Sequence, residues 1–162
     1  MATTLTSTVP GAVSVLQTHF QNVANANPAM EIGVYLGLPV AAVKNNYLMI
    51  GNYQDGKVLA SYRQDWVGMP AATAVKSETY SLNCSLRAWA GSSDPLARQA
   101  DAYTMIDGVL SELQSDPGGS GELTASGSWQ VTEMEEAENG PLGESGWGVV
   151  FTFTVEVINV RI

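Results

Sequence analysis

The stretch Glu78-Thr79-Tyr80-Ser81-Leu82-Asn83-Cys84-Ser85-Leu86-Arg87-Ala88-Trp89-Ala90 decides how the rest of the chain is read. Tyr80, Leu82, Cys84, Leu86 and Ala88 recur at every second position, while Thr79, Ser81, Asn83, Ser85 and Arg87 fill the positions between. Successive side chains of a strand point to opposite faces, so this alternation describes a half-buried antiparallel strand with one wet face. Trp89 falls on the wet side. A large indole there needs other cover, which makes Trp89 a candidate contact residue.

Immediately downstream, Asp94 followed by Pro95 signals a helix start, and the helical pattern runs from Pro95 to about Ser115. Leu96, Ala100, Tyr103, Ile106, Leu110 and Leu113 are expected to form one apolar stripe, with Asp94 and Arg98 paired four residues apart. Asp116-Pro117-Gly118-Gly119 stops it. The last third reads as a long hairpin with arms 129–136 and 147–162 joined by an acidic, glycine-rich tip at 137–146. In the second arm Trp147, Val149, Phe151, Phe153, Val155 and Val157 share a face, but Ile158, Val160 and Ile162 are apolar on the other. Such a change of phase implies either a bulge or a strand end that leaves its own sheet.

Upstream, Val9, Val13, Leu16, Phe20 and Val23 mark a first helix capped by Ser7 or Thr8 and closed before Pro28. Residues 32–38 alternate as a strand. A further pair, 46–53 and 58–66, flanks Asp55-Gly56, a dipeptide that favours a tight hairpin. The expected architecture is a single α+β domain over residues 1–162. It comprises a mostly antiparallel sheet with two helices on one face and a long C-terminal β-hairpin. Residues 1–7 are expected to form a flexible arm, and 67–76 and 137–146 mobile loops.

Composition narrows the function. The 162 residues are 45% hydrophobic, an ordinary globular content, and a chain this long can bury a substantial core without disulfides. Sixteen Asp and Glu against seven Lys and Arg give a net charge of −9. Gripping a nucleic-acid backbone or an anionic membrane needs clustered cations, and these seven are scattered from Lys44 to Arg161. Cys84 is the only cysteine, so no intramolecular disulfide can form, and its place on the apolar face suggests a buried, inert thiol. Neither a secretory signal nor an apolar run near membrane length is visible, which suggests a soluble protein made in a reducing cytoplasm.

No catalytic or metal-binding motif stands out, and no cofactor is expected. The single histidine, His19, flanks the first helix stripe and reads as a boundary or surface residue rather than a general base. No nucleophile elbow, zinc-protease motif or phosphate-binding glycine loop occurs. Glu133, Glu135, Glu136 and Glu138 cluster on the last hairpin. They could hold a hard cation, but a solvated, repulsive patch is the simpler reading. Surfaces are more informative. Trp66 beside the 68–74 loop with its Met69, Trp89 on the wet face, and the Ile158, Val160 and Ile162 ladder are candidate subunit or tube contacts, because aromatics and methionine are enriched at interfaces.

The segments 78–82 and 86–91, the helix through 97–113, the strand at 46–53 and the closing strand at 151–157 together resemble tail terminator proteins of long-tailed bacteriophages, particularly those infecting actinobacteria. The resemblance extends from about Val9 to the end and is one of pattern rather than of a diagnostic motif. It implies a non-enzymatic virion protein, located at the head-proximal end of the tail and assembled in the host cytoplasm. Such proteins form a homo-hexameric ring that caps the tail tube, stops its polymerisation and joins it to the neck. Implied partners are further copies of the chain, the tail tube protein and a neck protein, with DNA passing through unbound and no membrane involved. Glu133, Glu135, Glu136 and Glu138 would then line the bore. A head–tail connector or stopper is the nearest alternative, and a ligand-binding module or small enzyme with an acidic site is the alternative of another class.

Overall fold

The computed structural model describes residues 7–37, 43–51, 60–67, 75–91, 94–123, 127–142 and 146–161. The elements are α1 (Val9–Ala26), a 3-10 turn (Pro28–Met30), β1 (Gly33–Leu36), β2 (Tyr47–Ile50), β3 (Ala60–Val67), β4 (Val75–Ala90), α2 (Pro95–Ser115), a second 3-10 turn (Gly119–Gly121), β5 (Ser128–Leu142) and β6 (Gly146–Arg161). They build an α+β fold on one six-stranded, mostly antiparallel sheet of order β1-β2-β4-β6-β5, with β3 also paired to β4. The exception to antiparallel pairing is β1, which runs parallel to β2.

The alternation in β4 sets the two faces of this sheet. Tyr80, Leu82, Cys84, Leu86 and Ala88 lie opposite Val157, Val155, Phe153, Phe151 and Val149 of β6, so the apolar sets of both strands meet on one face. Leu48 and Ile50 of β2 join them opposite Leu86 and Cys84. All of these are buried in one core with Leu16, Phe20 and Val23 of α1 and Met105, Ile106 and Val109 of α2. Phe20 meets Phe153 with ring centroids 6.0 Å apart, and Tyr103 stands edge-on to Phe151 at 5.0 Å. The helices approach closely at Gly108, where an added Cβ would come within 3.0 Å of Val23 Cγ1.

Several expectations are corrected. The described parts of the two expected arms, Tyr47–Ile50 and Ala60–Val67, each pair with β4, and Asp55-Gly56 lies outside the described residues. Tyr47–Ile50 pairs with residues 84–87 of β4 and Ala60–Val67 pairs with residues 75–82. Because β6 occupies the other edge of β4 along nearly its full length, β2 and β3 run one after the other along the same edge. Residues 52–59 lie outside the described residues. Consecutive strands β3 and β4 pair antiparallel instead, and residues 68–74 between them are also outside the described residues. In α2 the buried stripe is Ala102, Met105, Ile106, Val109 and Leu113, whereas Leu96 is 78% exposed and Tyr103 45% exposed. The helix is rolled away from the expected stripe because its inner face must meet both α1 and the sheet. Asp94 accepts from the Ala97 amide as a cap, and Arg98 pairs with Asp101 at 3.1 Å instead of with Asp94.

At the C-terminal end, the loop expected at 137–146 is mostly strand. Asn139, Gly140 and Pro141 pair with Val149, Gly148 and Trp147, leaving 143–145 outside the described residues. Proline is tolerated there because β5 is an edge strand whose outer amides need no partner. The change of phase in β6 is a bulge. Tyr80 pairs with Val157 but Glu78 with Val160, so β6 gains one residue on β4 at this point.

The start of α1 is held from the sheet. Thr8 is the N-cap residue but makes no side-chain cap bond of its own to the helix. Glu78 of β4, fully buried, instead accepts from the Thr8 amide at 2.9 Å, from Thr8 Oγ1 at 2.8 Å and from Ser7 Oγ. A carboxylate beside the free amides of a helix N-terminus satisfies donors that the helix cannot and is favoured by its dipole. The expected local cap is present at Ser7, whose Oγ accepts from the Val9 amide at 3.2 Å, and Glu78 adds a tertiary tie, so Ser7 belongs to the anchored structure rather than to a free arm. Tyr80 hydrogen-bonds Thr8 Oγ1 at 3.0 Å, and its pKa is pushed up to about 12, chiefly by burial, with the Glu78 and Glu122 charges adding to the effect. Replacing Glu78 with Ala leaves buried donors unmatched and should lower the unfolding free energy by about 1.5–3 kcal/mol. Urea unfolding followed by circular dichroism measures this, and a change below about 0.5 kcal/mol would mean that the anchor contributes nothing.

Candidate functional site on the open face of the sheet

The face of the sheet away from the helices is built by the other half of the same alternation. Ser81 and Asn83 of β4 and Thr152, Thr154 and Glu156 of β6 lie there half-buried. Toward β5, a shallow concavity of about 420 Å³ opens between Asn83, Thr152, Thr154, Glu133 and Glu135. Toward β2 the same face is closed: Tyr47, Met49, Ser85 and Val150 are buried. Arg87 lies over the Tyr47 ring, 4.8 Å from its centroid, and donates to the Asn45 and Lys44 carbonyls at 3.0 Å each.

Two bulges in β5 decide where the glutamates go. Val131 pairs with Val155 but Met134 with Phe153, and Glu136 pairs with Phe151 but Glu138 with Val150. Each slip inserts one residue and reverses which parity faces the helices. Glu133 and Glu135 consequently border the open-face concavity, and Glu138 is exposed near the hairpin end. Glu136 goes to the helix side, where it accepts from Gln99 Nε2 at 3.2 Å and Asn139 Nδ2 at 2.8 Å. The four residues expected as one patch are therefore divided. Glu156 belongs with Glu133 and Glu135, and its signal was the wet-face alternation of Thr152 and Thr154. Among the described residues, no group of three or more His, Cys, Asp or Glu is placed to hold a metal ion.

Trp89 is half-buried at the end of β4, over Gly146, where a Cβ would come 2.5 Å from the indole Nε1. The missing side chain at 146 is what lets the ring lie down on the sheet. Trp89 also lines a cleft of about 460 Å³ with Lys44, Asn45, Asn46, Glu31 and Arg98. Asn46 ties this corner together by donating to the Met30 carbonyl at 2.6 Å and accepting from the Trp89 amide at 2.9 Å. Arg98 Nε is buried without a hydrogen-bond partner. Of the other expected contact residues, Ile158 is half-buried opposite Ser128, and Val160 lies opposite Glu78 in the register. Trp66 sits in β3 opposite Lys76, with its side chain outside the described residues, as are Met69 and Ile162 altogether.

His19 is not at the surface. It is 8% exposed, with Nδ1 2.7 Å from Glu112 Oε2, Nε2 2.8 Å from Asp116 Oδ2, and its ring edge-on to Trp129 at 5.7 Å. Sequence reading missed this because both carboxylates come from the far end of α2, more than ninety residues away. The ring can donate to both acceptors only with a proton on each nitrogen. Both nitrogens are committed to carboxylates, and Ser120 Oγ donates to Asp116 rather than to the histidine, so the group is a latch between α1 and the end of α2. Trp129 Nε1 donates to the Asp116 carbonyl at 2.7 Å and extends the latch to β5. Cys84 is buried, and burial pushes its thiol pKa up, away from reactivity.

No protein-family model matches the chain, and no curated protein matches it.

The latch has a pH signature. The hydrogen bond from His19 lowers the Glu112 pKa. At Asp116 burial acts upward but is outweighed by donation from Ser120 and His19, so its pKa is also lowered. A carboxyl that binds its proton less readily when folded contributes stability above its unfolded pKa and loses it as pH falls through the folded value. Thermal midpoints should therefore drop as pH is lowered from about 5 toward 2. The His19→Gln variant should be less stable at neutral pH and show a shallower acid decline; parallel curves for the two proteins would remove the latch as their cause.

Proposed function

We propose that this protein is a structural component of a phage virion, a tail terminator whose copies form a ring on the head-proximal end of the tail tube. The reading rests on the resemblance carried by residues 78–91 and 97–113 and by the closing strand. The observation that supports it best is the distribution of polar groups over the sheet. One face is packed beneath two helices, while the β4–β6–β5 part of the other presents hydroxyl, amide and carboxylate groups around a shallow depression. A ring of such subunits with their open faces inward would have a hydrophilic bore lined by Glu133, Glu135 and Glu156. Negative charge on that wall repels the phosphate backbone and lets DNA slide without being held.

A ring of identical subunits uses heterologous contacts, so each copy must offer two different, complementary surfaces. The two edge strands of the sheet, β5 on one side and β1 on the other, are available for this. Tube and neck proteins would meet the two rims. Assembly would take place in the host cytoplasm, and among the described residues no helix is long and apolar enough to cross a membrane.

Two measurements test this reading. Electron microscopy of particles assembled without the protein should show overlong tubes detached from heads. Normal-length tails that fail to join filled heads would assign it to the neck as a connector or stopper, and intact infectious particles would end the virion reading. Combined Glu133→Gln and Glu135→Gln substitutions should slow DNA ejection while leaving tail length unchanged; unaltered ejection kinetics would remove these residues from the bore.

A further inference from the structure

Among the described residues, the exposed large apolar side chains are Leu36, Leu96, Tyr103 and Met134. They are not scattered. Leu96, Tyr103 and the half-buried Leu110 recur every seven residues along α2, which places them within about 40° of one another around the helix. On the same side Gln99 reaches Glu136 of β5 and Tyr103 reaches Phe151 of β6, whereas Gly108, which meets Val23 of α1, lies on the other. The stripe therefore runs along the flank of α2 that overlooks the β5 edge. Met134 of β5 lies opposite Phe153, a core residue, and so belongs to the same helix-side flank. Leu36 is at the other edge of the sheet, in β1. Val34, two residues before it, packs on the core, so Leu36 also lies on the helix side.

The two edges differ in charge. Asp107 of α2 and Glu133, Glu135, Glu136 and Glu138 of β5 make the β5 side acidic. Residues 1–43, which include α1 and β1, contain Glu31 as their only Asp, Glu, Lys or Arg. Lys44 follows, and its amide donates to Tyr35 Oη at 3.0 Å, which keeps this lysine beside β1. Two copies meeting through their β5 sides would set these carboxylates against copies of themselves. A β5 side that meets the α1–β1 edge of another copy faces no such opposition. The backbone also suits that edge. Gly33 and Gly37 donate to the Asn46 and Ile50 carbonyls, so alternation turns the amides and carbonyls of Val34 and Leu36 outward. Among the described residues β5 is likewise paired on one side only, by β6.

We propose that the β1 edge of one copy docks on the β5 edge of a second, with Leu36 set against Met134 and Tyr103 on the helix side. Main-chain pairing between the two edges continues the sheet from copy to copy, and the uncharged flank of α1 lies along the rest of the α2 stripe. The two surfaces are different and stand at opposite edges of one sheet. Each copy therefore engages two neighbours, and repetition closes a ring if the rotation between neighbours closes. Glu133 and Glu135, on the open face, stay outside the contact. The proposal rests on the ring reading for its biological setting and adds the surfaces on which neighbouring copies meet.

The test is self-association of the full-length protein, followed by sedimentation velocity and native mass spectrometry over a concentration series. The wild type should associate. Leu36→Glu sets a carboxylate against the acidic side and Met134→Glu puts one into the apolar contact, so each should weaken association by about 10-fold or more. Leu36→Lys carries the opposite sign and should weaken it less, a difference that a folding defect does not produce. Mixing Leu36→Glu with Met134→Glu reads the geometry, because each variant keeps the surface that the other has lost. The mixture should form one-to-one dimers and nothing larger. Leu36 and Met134 are both exposed, and unchanged thermal midpoints will show that the variants fold. A wild type that stays monomeric throughout, association unmoved by either substitution, or a mixture without dimers overturns the contact. Rings unmoved by both substitutions leave the terminator reading standing, whereas the expected series alongside normal particles assembled without the protein leaves the contact and removes the terminator.

Discussion

The pairing of β4 on both of its edges is the constraint on which the rest of the molecule depends. Its sixteen residues are matched by β6 along one edge and by β2 and β3 in turn along the other. A strand held on both sides cannot slip by one residue without sending Tyr80, Leu82, Cys84, Leu86 and Ala88 to the wrong face. That register carries the two helices, since the same five side chains form the floor on which Phe20, Ile106 and Val109 pack. It also places Glu78 beneath the first turn of α1, where one carboxylate accepts from the cap residue's amide and hydroxyl. The start of α1 is thus tied to the same strand that defines the core.

Where the register does slip, it does so at bulges, and the bulges distribute the charge. Two extra residues in β5 send Glu136 to Gln99 on the helix side and leave Glu133, Glu135 and Glu138 away from it. A third, in β6, brings Val160 opposite Glu78 after five apolar residues of the opposite parity have met the helices. Each bulge costs the sheet a regular pair of hydrogen bonds and in return re-aims the side chains beyond it. The polar character of the open face, which the proposed bore requires, is thus a product of alternation in β4 and β6 combined with displacement in β5.

Parts of this were legible from local pattern. The span of α2, the faces of β4, the bulge or departure at the end of β6 and the two-armed C-terminal hairpin all express a period of two or 3.6 within a few residues. The misreadings share a different cause. The described residues on either side of Asp55-Gly56 find their partners in β4, which no local turn signal announces. The apolar residues of α2 mark a stripe by side-chain type, but Leu96 lies outside the arc that packs on α1 and the sheet, and Tyr103 reaches Phe151 only from its rim. His19 sits beside an ordinary amphipathic stripe and gives no local sign of two carboxylates from the far end of another helix.

The sequence by itself therefore determined the element types, the alternation of the central strand, the acidic balance and the scarcity of reactive groups, because each is contained in one residue or one short period. The tertiary structure decided which strand lies beside which, which glutamates share a face, what ties the start of α1 to the sheet and what surrounds His19. Those outcomes are pairings between residues tens of positions apart. Their free energy exists only once the chain has closed on itself, and no local window contains it.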